Sequence, residues 1–130
     1  MFTYLCVAFG SALGGIARYY CTTIADRYFV NQFPWGTLFV NIIGSFIIGF
    51  CAALSFSHNK SFFSAHMQKF IIVGFCGGYT TFSSFSLETF KFIEQQEFLK
   101  AFSNISCSFI LCLAATFLGY MLATQLNQTR

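Results

Sequence analysis

The sequence predicts an all-α integral membrane protein: four transmembrane helices with a break in the third, forming one unit over residues 1–130. Three observations carry the prediction. Apolar residues make up 56% of the chain and charged residues only 8%, against about 25% charged in a soluble domain. The mean hydropathy is +0.66. The charges also leave four uncharged windows, at 1–17, 28–59, 70–87 and 101–129, and a transmembrane helix needs about 20 mostly apolar residues. Seven basic and four acidic side chains cannot cover the surface of so small a protein in water. The composition therefore argues against a soluble enzyme, a disordered segment and a nucleic-acid-binding domain.

The first window predicts a helix near 2–24. It lacks a basic leader and a clear cleavage site, so it reads as a retained helix and not a signal peptide. Gly10, Gly14 and Arg18 are spaced by four and share a face; the two glycines permit close helix approach. Arg18 suits either snorkelling to the interface or guarding an anion entrance. The second helix is expected at 35–56, with Pro34 and Trp35 at its interfacial start. It carries Asn41, with Ser45 one turn later. A polar side chain at this depth is either helix glue or functional.

The third helix, near 68–95, is the irregular one. Gly77-Gly78-Tyr79-Thr80-Thr81 is poor helix material and predicts an interruption of the helix within this segment, near the bilayer middle. Non-helical backbone at that depth survives only where protein buries it or it lines a cavity. Phe82 and Phe85 follow at helical spacing, and Thr81, Phe85 and Glu88 share a face. Phe rings carry a positive edge that can contact a small anion, although two of 20 Phe at this spacing also suit plain packing. The fourth helix, near 100–126, carries Asn104, Ser108, Cys112 and Thr116 at a strict spacing of four. Such a stripe either lines a path or bonds back to its own carbonyls.

The remaining features are quieter. Three short polar connections join the helices, near 26–34, 57–67 and 95–100. His58 and His66 fall in one of them and suit solvated side chains better than ligands. The six cysteines show no CxxC spacing and read as small buried hydrophobes. Lys60, Lys69 and Arg130 belong to one side of the membrane, and Arg18, Arg27, Lys91 and Lys100 to the other. So small a bias suits either a weakly determined orientation or insertion in both orientations as an antiparallel pair.

Three segments together resemble the Fluc (CrcB) family of small fluoride channels: residues 14–18 (Gly-Gly-Ile-Ala-Arg), residues 36–46 around Asn41, and residues 74–86 around the double glycine and hydroxyl cluster. The likeness extends over nearly the whole chain. It implies an antiparallel, dual-topology homodimer in the cell membrane, in contact with lipid, exporting fluoride passively through two pores. It implies that Asn41, Phe82, Phe85 and Ser108 line the fluoride pathway, with Thr81, Ser84 and Glu88 alongside and Arg18 at the pore entrance. It also implies a structural sodium ion held by the Gly77 and Thr80 carbonyls of both subunits. One position departs from the family pattern: Asn104 stands where a Tyr is usual, keeping a donor on the fourth-helix end of the path without a ring. Two other functions fit four such helices. A proton-coupled multidrug exporter would need Glu88 as its membrane-embedded carboxylate. A non-transporting scaffold would use the polar stripes as glue. No nucleophile–base set points to an enzyme.

Overall fold

The structure is a computed structural model, and it describes residues 1–29, 33–55 and 63–128. Among these, all regular structure is helical. The elements are α1 (Phe2–Tyr28), α2 (Trp35–Ser55), α3 (Ala65–Gln68), a wider-wound π-helical stretch π1 (Lys69–Cys76), α4 (Gly77–Tyr79), α5 (Phe82–Glu94) and α6 (Phe98–Gln128). Three spans are long and apolar enough to cross a membrane: Trp35–Ser55, Ala65–Glu94 and Phe98–Gln128. α1 has 27 residues, which is long enough, but it ends in Asp26 and Arg27 and is less apolar.

Bulk and burial are inverted relative to a water-soluble bundle. The buried residues of α6 are Ala101, Asn104, Ala115, Gly119 and Ala123, while Phe102, Phe109, Phe117 and Leu118 face outward. Small residues inside and large apolar residues outside are what lipid as solvent selects, because lipid gives apolar side chains no reason to turn inward. The chain is a multi-pass membrane protein.

Glycines allow close helix contacts. A Cβ on Gly10 would collide with the Phe70 carbonyl and stand 3.0 Å from the Gly74 Cα; one on Gly14 would strike the Phe75 carbonyl and stand 3.1 Å from the Gly78 carbonyl carbon. Ten pairs with 74 and fourteen with 78, so α1 and the π1–α4 segment run side by side in one direction. α2 packs most extensively on α6. There, Gly49 lies against the Thr116 backbone and Gly119 against that of Phe46 and Phe50.

The break in the third span falls at Thr80 and Thr81, at the end of the Gly77–Thr81 segment expected to interrupt the helix. Gly77 is helical (φ −63°, ψ −35°) and the helix runs on to Tyr79. Thr80 (φ −83°, ψ 159°) and Thr81 (φ −150°, ψ 111°) are extended. The physical reason is capping. Thr81 Oγ1 accepts from the Ser84 N–H at 3.1 Å and starts α5, as an N-cap threonine does. Gly78 is needed for contact, since a Cβ there would press on the Ser11 carbonyl. The π-helical winding of 69–76 has no counterpart in the sequence reading.

Elsewhere the expected bounds shift by a few residues. α1 runs to Tyr28 instead of 24, the third span covers 65–94, and α6 covers 98–128. α5 ends in a tight turn to α6. Glu97 N–H donates to the Phe92 carbonyl (2.8 Å) and Gln96 N–H to the Ile93 carbonyl (3.0 Å), with Gln96 left-handed at φ 59°; this is a Schellman cap. Lys60, His58 and Arg130, used in the connection and charge reading, lie outside the described residues. All six cysteines are free thiols.

Candidate functional site

Extended backbone inside a membrane span must find partners for its freed groups, because each unsatisfied one in hydrocarbon costs several kcal/mol. Here the partners come from other helices. Thr81 N–H, which would otherwise close a helical turn onto the Gly77 carbonyl, donates to Asn41 Oδ1 at 2.7 Å. Asn41 Nδ2 donates back to the Thr81 carbonyl at 3.1 Å. The Thr80 carbonyl accepts from Arg18 Nη1 at 3.2 Å. Thr80 Oγ1 donates to the Cys76 carbonyl at 2.9 Å, and Thr81 Oγ1 donates to Ser84 Oγ at 3.0 Å. Gly44 on α2 admits Thr80, whose methyl occupies the place a Cβ on that glycine would take.

The break opens one side of a cavity of about 560 Å³. Asn41, Gly77, Thr80, Thr81, Phe82, Phe85 and Ser108 all line it. Seven of the residues expected at the site are thus brought together, from α2, α4, α5, α6 and the break itself. The Phe82 and Phe85 ring centroids are 5.3 Å apart at 47°. Phe82 is 78% exposed, so its ring stands at the outer wall of the chain. Ser108 Oγ is buried and has no hydrogen-bond partner among the described residues. Among the described residues, no Lys or Arg contributes to the lining.

Four expected site residues are placed elsewhere. Arg18, expected at the pore entrance, does not line the cavity; its guanidinium turns inward to the break carbonyl, which the shared face of Gly10, Gly14 and Arg18 permits. Ser84 serves the α5 cap. Glu88 Oε1 accepts from Thr37 Oγ1 at 2.6 Å, and Glu88 lines a separate cavity of about 280 Å³ with Pro34 and Lys91. Asn104 is 1% exposed and donates from Nδ2 to Thr89 Oγ1 at 2.9 Å, between α6 and α5. In the α6 stripe, Thr116 Oγ1 bonds back to the Cys112 carbonyl at 3.0 Å.

Three contributors escaped the sequence reading: Thr37, Gly44 and Thr89. Thr37 lies one turn before Asn41, and Thr89 one turn after Phe85, so each continues a polar face already visible. Gly44 carried no chemical signal; its role is only to leave room.

Comparison with known proteins places the chain in a family. A family model described as "CrcB-like protein, Camphor Resistance (CrcB)" matches residues 5–120. A protein of Methylocella silvestris named fluoride-specific ion channel FluC is 41% identical over 98% of this chain and 97% of its own length. One of Rhodopseudomonas palustris, named fluoride-specific ion channel FluC 1, is 43% identical over 98% of this chain and 90% of its own. A third, of Opitutus terrae and named fluoride-specific ion channel FluC, is 40% identical over the whole chain and 98% of its own length. With the family model matching most of its residues and relatives of this identity matching from end to end, the chain belongs to the CrcB family.

Proposed function

We propose that the protein is a fluoride-selective channel of the cell membrane, through which fluoride leaves the cytoplasm passively and its toxicity is relieved. The observation that carries this reading is the cavity wall: the Asn41 amide, two Phe rings and a buried Ser108 hydroxyl, which among the described residues has no partner and no fixed cation beside it. Fluoride is small and strongly hydrated. A pore must replace its water donors yet bind it loosely enough to release it. Asn41 keeps one N–H beyond the one given to Thr81, and Ser108 keeps its hydroxyl. The positive Phe edges add weak attraction, and a lysine at this depth would hold the anion too long. Relatives named as fluoride-specific channels support the same ion.

The working unit in this reading is an antiparallel homodimer of four-span subunits, surrounded by lipid. Phe82 at the outer wall suits a pore completed by a second copy. The near-equal basic count on the two sides suits insertion both ways, and α1 supplies the fourth span by length. A structural sodium ion belongs to the same reading, and the donor set fits it. Thr81's turn toward Asn41 leaves the Gly77 carbonyl without its helical donor, and a Cβ on Gly77 would meet none of the described residues within 4 Å, so this backbone is open to a partner. The Thr80 carbonyl has a second lone pair beside the one Arg18 uses. Gly77 and Thr80 would hold the ion by backbone oxygens, and the ion would supply a positive charge joining two breaks.

The alternatives find less support. Glu88, the carboxylate an exporter needs, is bonded to Thr37 away from the larger cavity, and the relatives carry channel names rather than exporter or enzyme names. A scaffold has no use for an unpartnered hydroxyl on a cavity wall. The deciding experiment is fluoride-electrode efflux from liposomes holding the purified protein. Release should follow the membrane potential without a pH gradient. Flux that requires a pH gradient and vanishes in Glu88→Gln would indicate the exporter, and absence of flux would indicate the scaffold.

A further inference from the structure

Asn104 presents a difficulty for the pathway just described. It lies in the polar stripe of α6, yet its amide is turned away from the cavity and is buried at 1% exposure. Its Nδ2 donates to Thr89 Oγ1 at 2.9 Å. Thr89 is also buried, and its Oγ1 donates to the Phe85 carbonyl at 2.8 Å.

The two residues occupy a specific level of the α5–α6 pair. α5 and α6 are joined by the tight turn at 95–97 and run antiparallel. One helical turn from Thr89 toward the break is Phe85; one helical turn from Asn104 in the same spatial direction is Ser108. Phe85 and Ser108 both line the larger cavity. The next level toward the connecting turn holds Phe92 and Ala101, both buried. The Asn104–Thr89 bond is therefore a polar tie between the two helices, immediately beside the level at which they present a ring and a hydroxyl to the cavity. Van der Waals contact alone tolerates sliding and spreading of helices in lipid, whereas a directed bond between two short side chains fixes both spacing and register.

We infer that Asn104 is a positioning residue: through Thr89 it sets the separation of Phe85 from Ser108, and so the selectivity of the channel for fluoride over larger anions. This rests on the fluoride reading above. Asn104 does not touch the ion in this assignment; its chemistry reaches the path only through the helix spacing it enforces. A wider gap between ring and hydroxyl admits chloride, which is larger and less strongly hydrated, while weakening the fit to fluoride.

The test uses the full chain in liposomes, with fluoride and chloride efflux measured on the same preparations. Asn104→Leu keeps the volume and removes the donor; Thr89→Val removes the acceptor. Each should lower the ratio of fluoride to chloride flux by about tenfold, and the double variant should be no worse than the more affected single one. Thr89→Ser retains the hydroxyl and should retain the ratio. Thr89→Val leaves the buried Asn104 amide unpaired and is the variant at risk of misassembly; Asn104→Leu leaves Thr89 bonded to Phe85, so it alone decides if the other fails. An unchanged ratio in an assembled Asn104→Leu protein overturns the proposal and leaves the bond a structural one. Multiplying losses in the double variant overturn it too, because the two residues would then act separately. If the unaltered protein passes no fluoride at all, the channel reading fails first, and that result is distinct from either of these.

Discussion

Asn41 grips Thr81 by both polar groups of its backbone. The Thr81 N–H donates to Oδ1 and Nδ2 donates to the Thr81 carbonyl, at 2.7 and 3.1 Å. The pairing fixes which end of the amide is nitrogen, since only one orientation satisfies both bonds. It also binds α2 to the one stretch of the third span that cannot satisfy itself.

Replacing that amide should therefore damage both the fold and the path. Asn41→Asp keeps the acceptor for Thr81 N–H but sets a carboxylate oxygen against the Thr81 carbonyl and a like charge on the fluoride route. Flux should fall at least about tenfold, an added barrier of about 1.4 kcal/mol. Asn41→Ala leaves two backbone groups short of partners and should cost about 1–3 kcal/mol of stability. Efflux and thermal unfolding in detergent check the two effects, and full flux in Asn41→Asp would remove Asn41 from the route.

The aromatic pair can be probed without emptying its space. Phe82→Ile and Phe85→Ile keep apolar bulk and remove the ring quadrupole. Each should reduce fluoride efflux by about tenfold or more in protein that still assembles. Unchanged efflux would mean that the rings only pack.

Neighbouring glycines on α1 offer a paired control. A Cβ on Gly14 would land on the Phe75 carbonyl and 2.8 Å from the Tyr79 nitrogen, while one on Gly15 would meet none of the described residues within 4 Å. Gly14→Ala should destabilise by about 1–3 kcal/mol through overpacking. Gly15→Ala should show no loss. Unfolding midpoints of the two variants, measured side by side, decide it; equal midpoints would contradict the close approach of α1 to the third span.

Gln96 holds a left-handed backbone, at φ 59°, that glycine adopts without strain. Gln96→Gly should stabilise the cap by about 1 kcal/mol and leave efflux unchanged. A lower unfolding midpoint would argue that the Gln96 side chain contributes contacts beyond its backbone.

Sodium can be tested by removal. Exchange of all sodium for a bulky organic cation should lower the unfolding midpoint of the assembled protein, and sodium alone should restore it. An unaltered midpoint would leave the Gly77 and Thr80 carbonyls without that ion.

Much of this was legible in the chain, and the gaps have physical causes. Three of the charge-free windows fell on the spans Trp35–Ser55, Ala65–Glu94 and Phe98–Gln128 because charge at membrane depth is excluded whatever the packing, while the first covered only part of α1, which continues through Arg18 to Tyr28. Asn41, Phe82, Phe85 and Ser108 were visible because polar or clustered side chains stand out on an apolar background. The break was legible to within the Gly77–Thr81 segment but not to the residue: glycine is both a helix weakener and a contact residue, and here contact with α1 decided its use, while capping by Thr81 decided where in the segment the helix stopped. Asn104 shows the same limit. Its helical face was readable, but which way its amide turned depended on Thr89, and no local pattern encodes a partner on another helix. Arg18 likewise suits two readings in sequence, and its bond to the Thr80 carbonyl is one that no local pattern encodes.

The break carries a consequence for biogenesis. Both side chains that satisfy it from outside, Arg18 and Asn41, precede it in the chain. When the third span leaves the ribosome, the segments bearing its missing partners have already been made. The extended pair at Thr80 and Thr81 can thus be accepted as soon as it enters the bilayer, without waiting for α6 or for a second copy. Had these partners lain on α6, the same two residues would have stood unsatisfied in hydrocarbon through the rest of synthesis. The order of residues along the chain lets an irregular span enter lipid cotranslationally, with its receptor in place before it arrives.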